Sequence, residues 1–170
     1  MKKQPYVIPF RTLSEGTHRY DFKLDTAFFE SYHTLSEYSG EVEVTVVFFK
    51  QDSKKELTVS MEGTLETICD RCLDPLDLPF SVEGHYYLKE AEEGEEEKDD
   101  VVFVAPDDTH VELSQLFYEL VMIGLPQKKT HQIENCNKEM LQKLEALEIK
   151  KEDKVDPRWA TLEKLIKKEK

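Results

Sequence analysis

The chain has 170 residues, 39% hydrophobic and 10% aromatic, enough to bury the core of one domain with appendages and too few for two full domains. Three cysteines cannot close a disulfide framework, no signal-like apolar segment follows MKKQPYVIPF, and the longest apolar run falls far short of the roughly 20 residues of a membrane helix, so a reducing cytoplasm is the expected compartment. The net charge of −13 divides unevenly: residues 1–124 hold 11 Lys/Arg against 27 Asp/Glu, whereas residues 125–170 hold 12 against 9. An acidic body is poor at neutralising nucleic-acid phosphates and suited to a basic protein partner.

In chain order, THRYDFKLD alternates His18, Tyr20, Phe22 and Leu24 with Arg19, Asp21 and Lys23, which predicts a half-buried strand. DTAFFESY then suits a short helix capped by Asp25. VEVTVVFFK and ELTVSMEGTL, joined by the polar QDSKKE, predict a hairpin. Its second arm puts Leu57, Val59, Met61 and Leu65 on one face and Thr58, Ser60, Glu62 and Thr64 on the other, with Gly63 marking a bulge or a close backbone approach. A fourth strand carries Leu78, Phe80, Val82, Tyr86 and Leu88.

The run EAEEGEEEKDD over residues 90–100 has eight acids and one lysine and reads as a solvated loop. VVFV is a further short strand. Leu113, Leu116, Phe117, Leu120 and Val121 predict a helix that begins at Thr109 or Ser114, ends near Gly124 and Pro126, and covers the sheet. Met140, Leu141, Leu144 and Leu147 form the stripe of another helix. A last one, in DPRWATLEKLIKK, has Asp156 as cap, Pro157 in the first position, and Trp159, Leu162 and Ile166 on one face.

Chemistry concentrates in ETICDRCLDPL, residues 66–76, where Cys69 and Cys72 make a C-x2-C pair. A redox couple needs a thiolate of lowered pKa at a helix start; Asp70 and Asp74 act against the first requirement and Pro75 against the second. A structural zinc needs four ligands, and His131 with Cys136 in HQIENC forms an H-x4-C that would complete Cys3His. The 58 residues between Cys72 and His131 exceed the gaps of compact zinc modules. Buried, unliganded thiols remain the plainest alternative and are favoured over zinc, as zinc is over redox chemistry.

No nucleophile elbow, phosphate-binding glycine loop, dinucleotide fingerprint or H-E-x-x-H occurs, and no carboxylate pair is set in apolar sequence, so an enzyme is not expected. For RNA the candidates are Lys128, Lys129, Lys150 and Lys151, with Lys154 and the C-terminal lysines. Each lies among acids, and the ordinary reading of such clusters is a solvated face. No aromatic platform for stacking bases is present.

The segment GTLETICDRCLDPLDLPF, with paired strands before it and an acidic run, a helix ending in GLP and a His/Cys element after it, resembles the YceD family. The resemblance spans about Ile8 to Cys136 and rests most on Cys69, Arg71, Cys72, Leu73 and Pro75 of C-x-R-C-L-x-P, together with Leu125 and Pro126. His131 and Cys136 match a later His/Cys element of that family, and the DPRWATLEKL ending looks like its Bacteroidetes-type branch. The resemblance implies a role in accumulation or processing of 23S ribosomal RNA, with no catalytic residue to carry over.

The expected fold is α+β: a curved antiparallel sheet of five or six strands covered by the helix near residues 112–124. Residues 1–126 form the β-rich core with its helix, and residues 127–170 hold the His/Cys element and a helical C-terminal extension. The expected function is a non-enzymatic cytoplasmic factor in large-subunit ribosome assembly. It would bind ribosomal RNA or a basic ribosomal protein or assembly factor, with structural zinc as the one candidate cofactor; a thiol redox or zinc-dependent protein is the alternative.

Overall fold

Alternation at period two becomes strand, and the apolar half of each alternation becomes core. The computed structural model describes residues 6–52, 54–91 and 100–147. In chain order the elements are β1 (Val7–Ile8), β2 (Gly16–Leu24), α1 (Thr26–Glu30), β3 (Ser39–Gln51), β4 (Lys54–Ile68), β5 (Pro75–Glu90), β6 (Val101–Val104), β7 (Val111–Glu112), α2 (Ser114–Gly124) and α3 (Lys138–Leu147). Strands β2 to β6 form one open sheet in the order β2-β3-β4-β5-β6, and β1 pairs with β7 in a separate small sheet. The fold is α+β, as expected.

Direction is corrected at one edge. β2 through β5 are antiparallel neighbours, but β6 runs parallel to β5, with Tyr87 opposite Val101 and Glu90 opposite Val104. Alternation marks a strand and its buried face and says nothing about the direction in which the strand runs. The pair β1 and β7, two residues each, is too short to show any period.

The hairpin β3–β4 has the expected faces: Leu57, Val59, Met61 and Leu65 are buried, while Glu62 and Thr64 are exposed. Its register is continuous through Val42 opposite Gly63, so Gly63 is no bulge. It is a close approach instead, because a Cβ there would stand 2.3 Å from the Glu41 carbonyl oxygen and 2.8 Å from Val42 Cα. The turn is tighter than QDSKKE, since the strands pair out to Gln51 and Lys54.

Asp25 caps α1, its carboxylate accepting from the Phe28 N–H at 3.1 Å, and the helix buries Phe28 and Phe29. α2 buries Leu116, Phe117, Leu120 and Val121 and covers the sheet at β5. The contact is tight at its end, where a Cβ on Gly124 would lie 2.8 Å from a ring carbon of Phe80. The start at Ser114 is as expected, but the orphan Ser114 N–H is satisfied from outside the helix, by the Glu112 carboxylate at 2.9 Å. Between helices and sheet Tyr6 meets Phe22, Phe28 and Phe117 edge-on, at centroid distances of 5.9, 5.7 and 5.4 Å. Each fully buried phenylalanine, such as Phe29, Phe48 or Phe117, contributes on the order of 2–3 kcal/mol by leaving water.

Lys150, Lys151, Lys154 and the DPRWATLEKLIKK segment lie outside the described residues, as does nearly all of the acidic run.

Candidate metal centre

The buried row of β4, ending in Leu65 and Thr67, runs straight into Cys69. There the chain turns over. The Cys69 carbonyl accepts from the Leu73 N–H at 2.9 Å, the Cys69 N–H donates to the Asp74 carbonyl at 2.9 Å, and Leu73 takes a left-handed φ of 62°. Pro75 then opens β5, keeping Asp74 out of the helical region, and pairs with Ile68. The outcome is a knuckle between two long strands, with Cys69 and Cys72 buried inside it.

The second half arrives after α2. Asp70 and Lys129 bind each other's backbone: the Asp70 N–H donates to the Lys129 carbonyl, and the Lys129 N–H to the Asp70 carboxylate, both at 2.7 Å. His131 follows, then a 3-10 turn over Ile133–Asn135, then Cys136. Asn137 caps α3, its side-chain oxygen accepting from the N–H groups of Glu139 and Met140. Met140 and Leu141 pack on Cys69, Cys72, Leu76 and Cys136, a small cluster separate from the main core. Leu144 and Leu147, from the same predicted stripe, are exposed.

One ligand atom each from Cys69, Cys72, His131 and Cys136 lies within 4.8 Å of all the others. A tetrahedral zinc about 2.3 Å from each sulfur sets its sulfurs roughly 3.8 Å apart, so the cage is of the right size and chemistry for Cys3His coordination. The histidine is oriented for it. Its Nε2 is 3.0 Å from the Pro75 carbonyl, to which the N–H donates, leaving the Nδ1 lone pair directed to the cage, 3.3 Å from Cys72 Sγ. Arg71 closes one side, its guanidinium 3.4 Å from the His131 carbonyl and 3.6 Å from Cys136 Sγ. All three cysteines are free thiols.

The thiols are not ordinary. Burial pushes Cys69 up, but N–H groups of Cys72, His131 and Arg71 outweigh it and bring the thiol down to about 6. Cys72 is also lowered, first by the Asn137 N–H, and His131 is raised by its contact with Cys72. Burial raises Cys136. The expectation that Asp70 and Asp74 would raise the pair is thereby corrected: Cys69 and Cys72 are both lowered. Asp70 turns toward Lys129, and the amides of the knuckle face the sulfur. Without a cation, Cys72 and the His131 Nδ1 compete for one proton; a metal would take its place.

A family model described as "Large ribosomal RNA subunit accumulation protein YceD" matches residues 57–166. The chain belongs to the YceD family. The same comparisons matched no curated protein and no solved structure. The matched span holds the knuckle, α2 and both halves of the cage.

The resembling residues now have places. In this YceD chain Arg71 touches a ligand and the backbone of another, and the Pro75 carbonyl orients His131. Leu73 is 64% exposed, Leu125 packs on the main core, and Pro126 is exposed. Lys128 is exposed. Lys129 is drawn inward: its ammonium lies 2.8 Å from Glu37 and 4.9 Å from the Tyr38 ring centroid, and its side chain is 13% exposed. Sequence reasoning missed Asp70 and Asn137 as parts of the site; Asn before a helical stripe is a cap signal that was there to find.

Proposed function

We propose that the protein is a non-enzymatic cytoplasmic factor in accumulation of large-subunit ribosomal RNA, acting in assembly of that subunit, and that Cys69, Cys72, His131 and Cys136 hold one structural zinc. Membership of the family named for that role carries the reading. Four protein ligands fill a tetrahedral metal and leave no position for substrate, which supports a structural centre. The zinc would tie residues 127–170 to the β-rich core of residues 1–126, doing with four bonds what the small apolar cluster around Leu76 does weakly.

A basic ribosomal protein or assembly factor suits the chain's charge better than RNA does. On the solvent face of the sheet, Glu43 stands opposite Glu62 and Glu66 opposite Asp77. RNA contact through Lys128, Lys129, Lys150 and Lys151 is the second form of the proposal, and the engagement of Lys129 with Glu37 and Asp70 weakens it. No helix among the described residues is long and apolar enough to cross a membrane.

Depletion of the protein in its own cell should lower large-subunit relative to small-subunit ribosomal RNA, with recovery by the wild-type gene; an unchanged ratio rejects the role. Protein purified without chelator should carry about one zinc per chain, absent from Cys69→Ser. The lowered Cys69 thiol favours a redox reading as the alternative. Metal-free, reduced protein that catalyses reduction of a model disulfide at the expense of an added dithiol reductant would establish that instead.

A further inference from the structure

Metal-ligating backbone here also carries large apolar side chains into solvent. Ile68, just before Cys69, is 56% exposed; Leu73, just after Cys72, is 64% exposed; Ile133, two residues after His131, is 69% exposed. The Cys136 N–H donates to the Ile133 carbonyl, so that residue sits inside the second ligand loop. Because the ligand atoms lie within 4.8 Å of one another, all three side chains issue from backbone around one centre.

Leu73 is the least expected of the three. A residue with a Cβ is disfavoured at a φ of 62°, where glycine or asparagine would fit the turn. Its side chain does not compensate by packing, since most of it faces water. Neither turn geometry nor core burial therefore accounts for a leucine.

Acids flank two of the three. Ile68 faces the solvent side of the sheet beside Glu66 and, across the strand pair, Asp77; both are exposed, and exposed Glu134 follows Ile133 directly. Exposed carboxylates beside Ile68 and Ile133 match a partner segment that presents apolar groups among lysines and arginines. They repel a polyphosphate backbone.

We infer that Ile68, Leu73 and Ile133 form a docking surface, organised by the metal centre, for a lysine- and arginine-rich protein segment bearing apolar side chains. The inference rests on the assembly-factor reading and names the face that reading would use. Loss of metal would separate Ile133 from the other two and dissolve the surface without unfolding the sheet.

The test uses full-length, zinc-loaded protein immobilised against two probes: proteins extracted from salt-washed large ribosomal subunits, and large-subunit RNA freed of protein. The wild type should retain a basic subunit protein. That protein, purified, should bind Leu73→Gly with Ile133→Ser at least tenfold more weakly, with zinc content unchanged and the melting temperature equal or higher. Equal affinity overturns the docking surface and leaves the assembly role standing. A lowered melting temperature would mean that the chain's own residues cover these side chains, and a dimer abolished by the substitutions would mean that a second copy does; retention of RNA alone likewise overturns the inference. If the wild type retains neither protein nor RNA, the assembly-factor reading fails first and the docking surface with it.

Discussion

Asp70 and Lys129 are joined twice through backbone, the N–H of each bonded to an oxygen of the other at 2.7 Å, and the Lys129 ammonium lies 3.9 Å from the same carboxylate. This reciprocal pair is the seam between the knuckle and the element that carries His131 and Cys136. It sets the register in which two distant ligand pairs meet.

Asp70→Ala should therefore loosen the metal centre without removing a ligand. The Asp70 carboxylate accepts one hydrogen bond and forms one long ion pair, both partly exposed, so the expected loss of stability is about 1 kcal/mol, below the usual range for a buried hydrogen bond to a charged group. Zinc should still bind at one per chain, with faster release to a competing chelator. Release at the wild-type rate would show that the seam does not hold the bound metal centre.

Arg71 offers a second test. Three thiolates and a neutral imidazole around Zn2+ leave one negative charge, and the guanidinium donates toward Cys136, the thiol that burial holds most firmly protonated. Arg71→Met should weaken zinc binding roughly 10–100-fold, the usual effect of losing a group that orients or charges a ligand. Lysine should restore it in part, because both contacts come from the single nitrogen Nη1 and an ammonium keeps the charge and the donors. Competition with a chromophoric chelator measures all three proteins.

Gly63→Ala should be destabilising by about 2–3 kcal/mol, since the new methyl meets backbone atoms of β3 that can yield only by moving the strand. Strand propensity alone predicts the opposite sign, because alanine suits a strand at least as well as glycine. Thermal unfolding of the two proteins decides between them. A melting temperature equal to the wild type's would mean that β3 and β4 separate there at little cost.

Which parts could be read in advance follows from the range of the interactions. The strands β2 to β5 and the buried faces of β4 and α2 are legible in alternation and helical spacing, because burial of neighbouring side chains is imposed residue by residue along one element. Capping of α1 by Asp25 is local in the same sense. The parallel direction of β6 and the pairing of β1 with β7 depend on where separate segments meet. No local pattern carries them.

The centre shows both sides. By itself the sequence determined the candidate donors, the C-x2-C and H-x4-C spacings and the turn at Pro75, since each is a property of a few adjacent residues. Only the tertiary structure decided that the two pairs converge, across a separation of 59 residues between Cys72 and His131. That meeting is made by β5 returning along β4, α2 packing over β5, and the Asp70–Lys129 seam. It also decided that the Cys69 thiol is lowered, because the backbone N–H groups facing it come from residues on both sides of the seam and outweigh its burial.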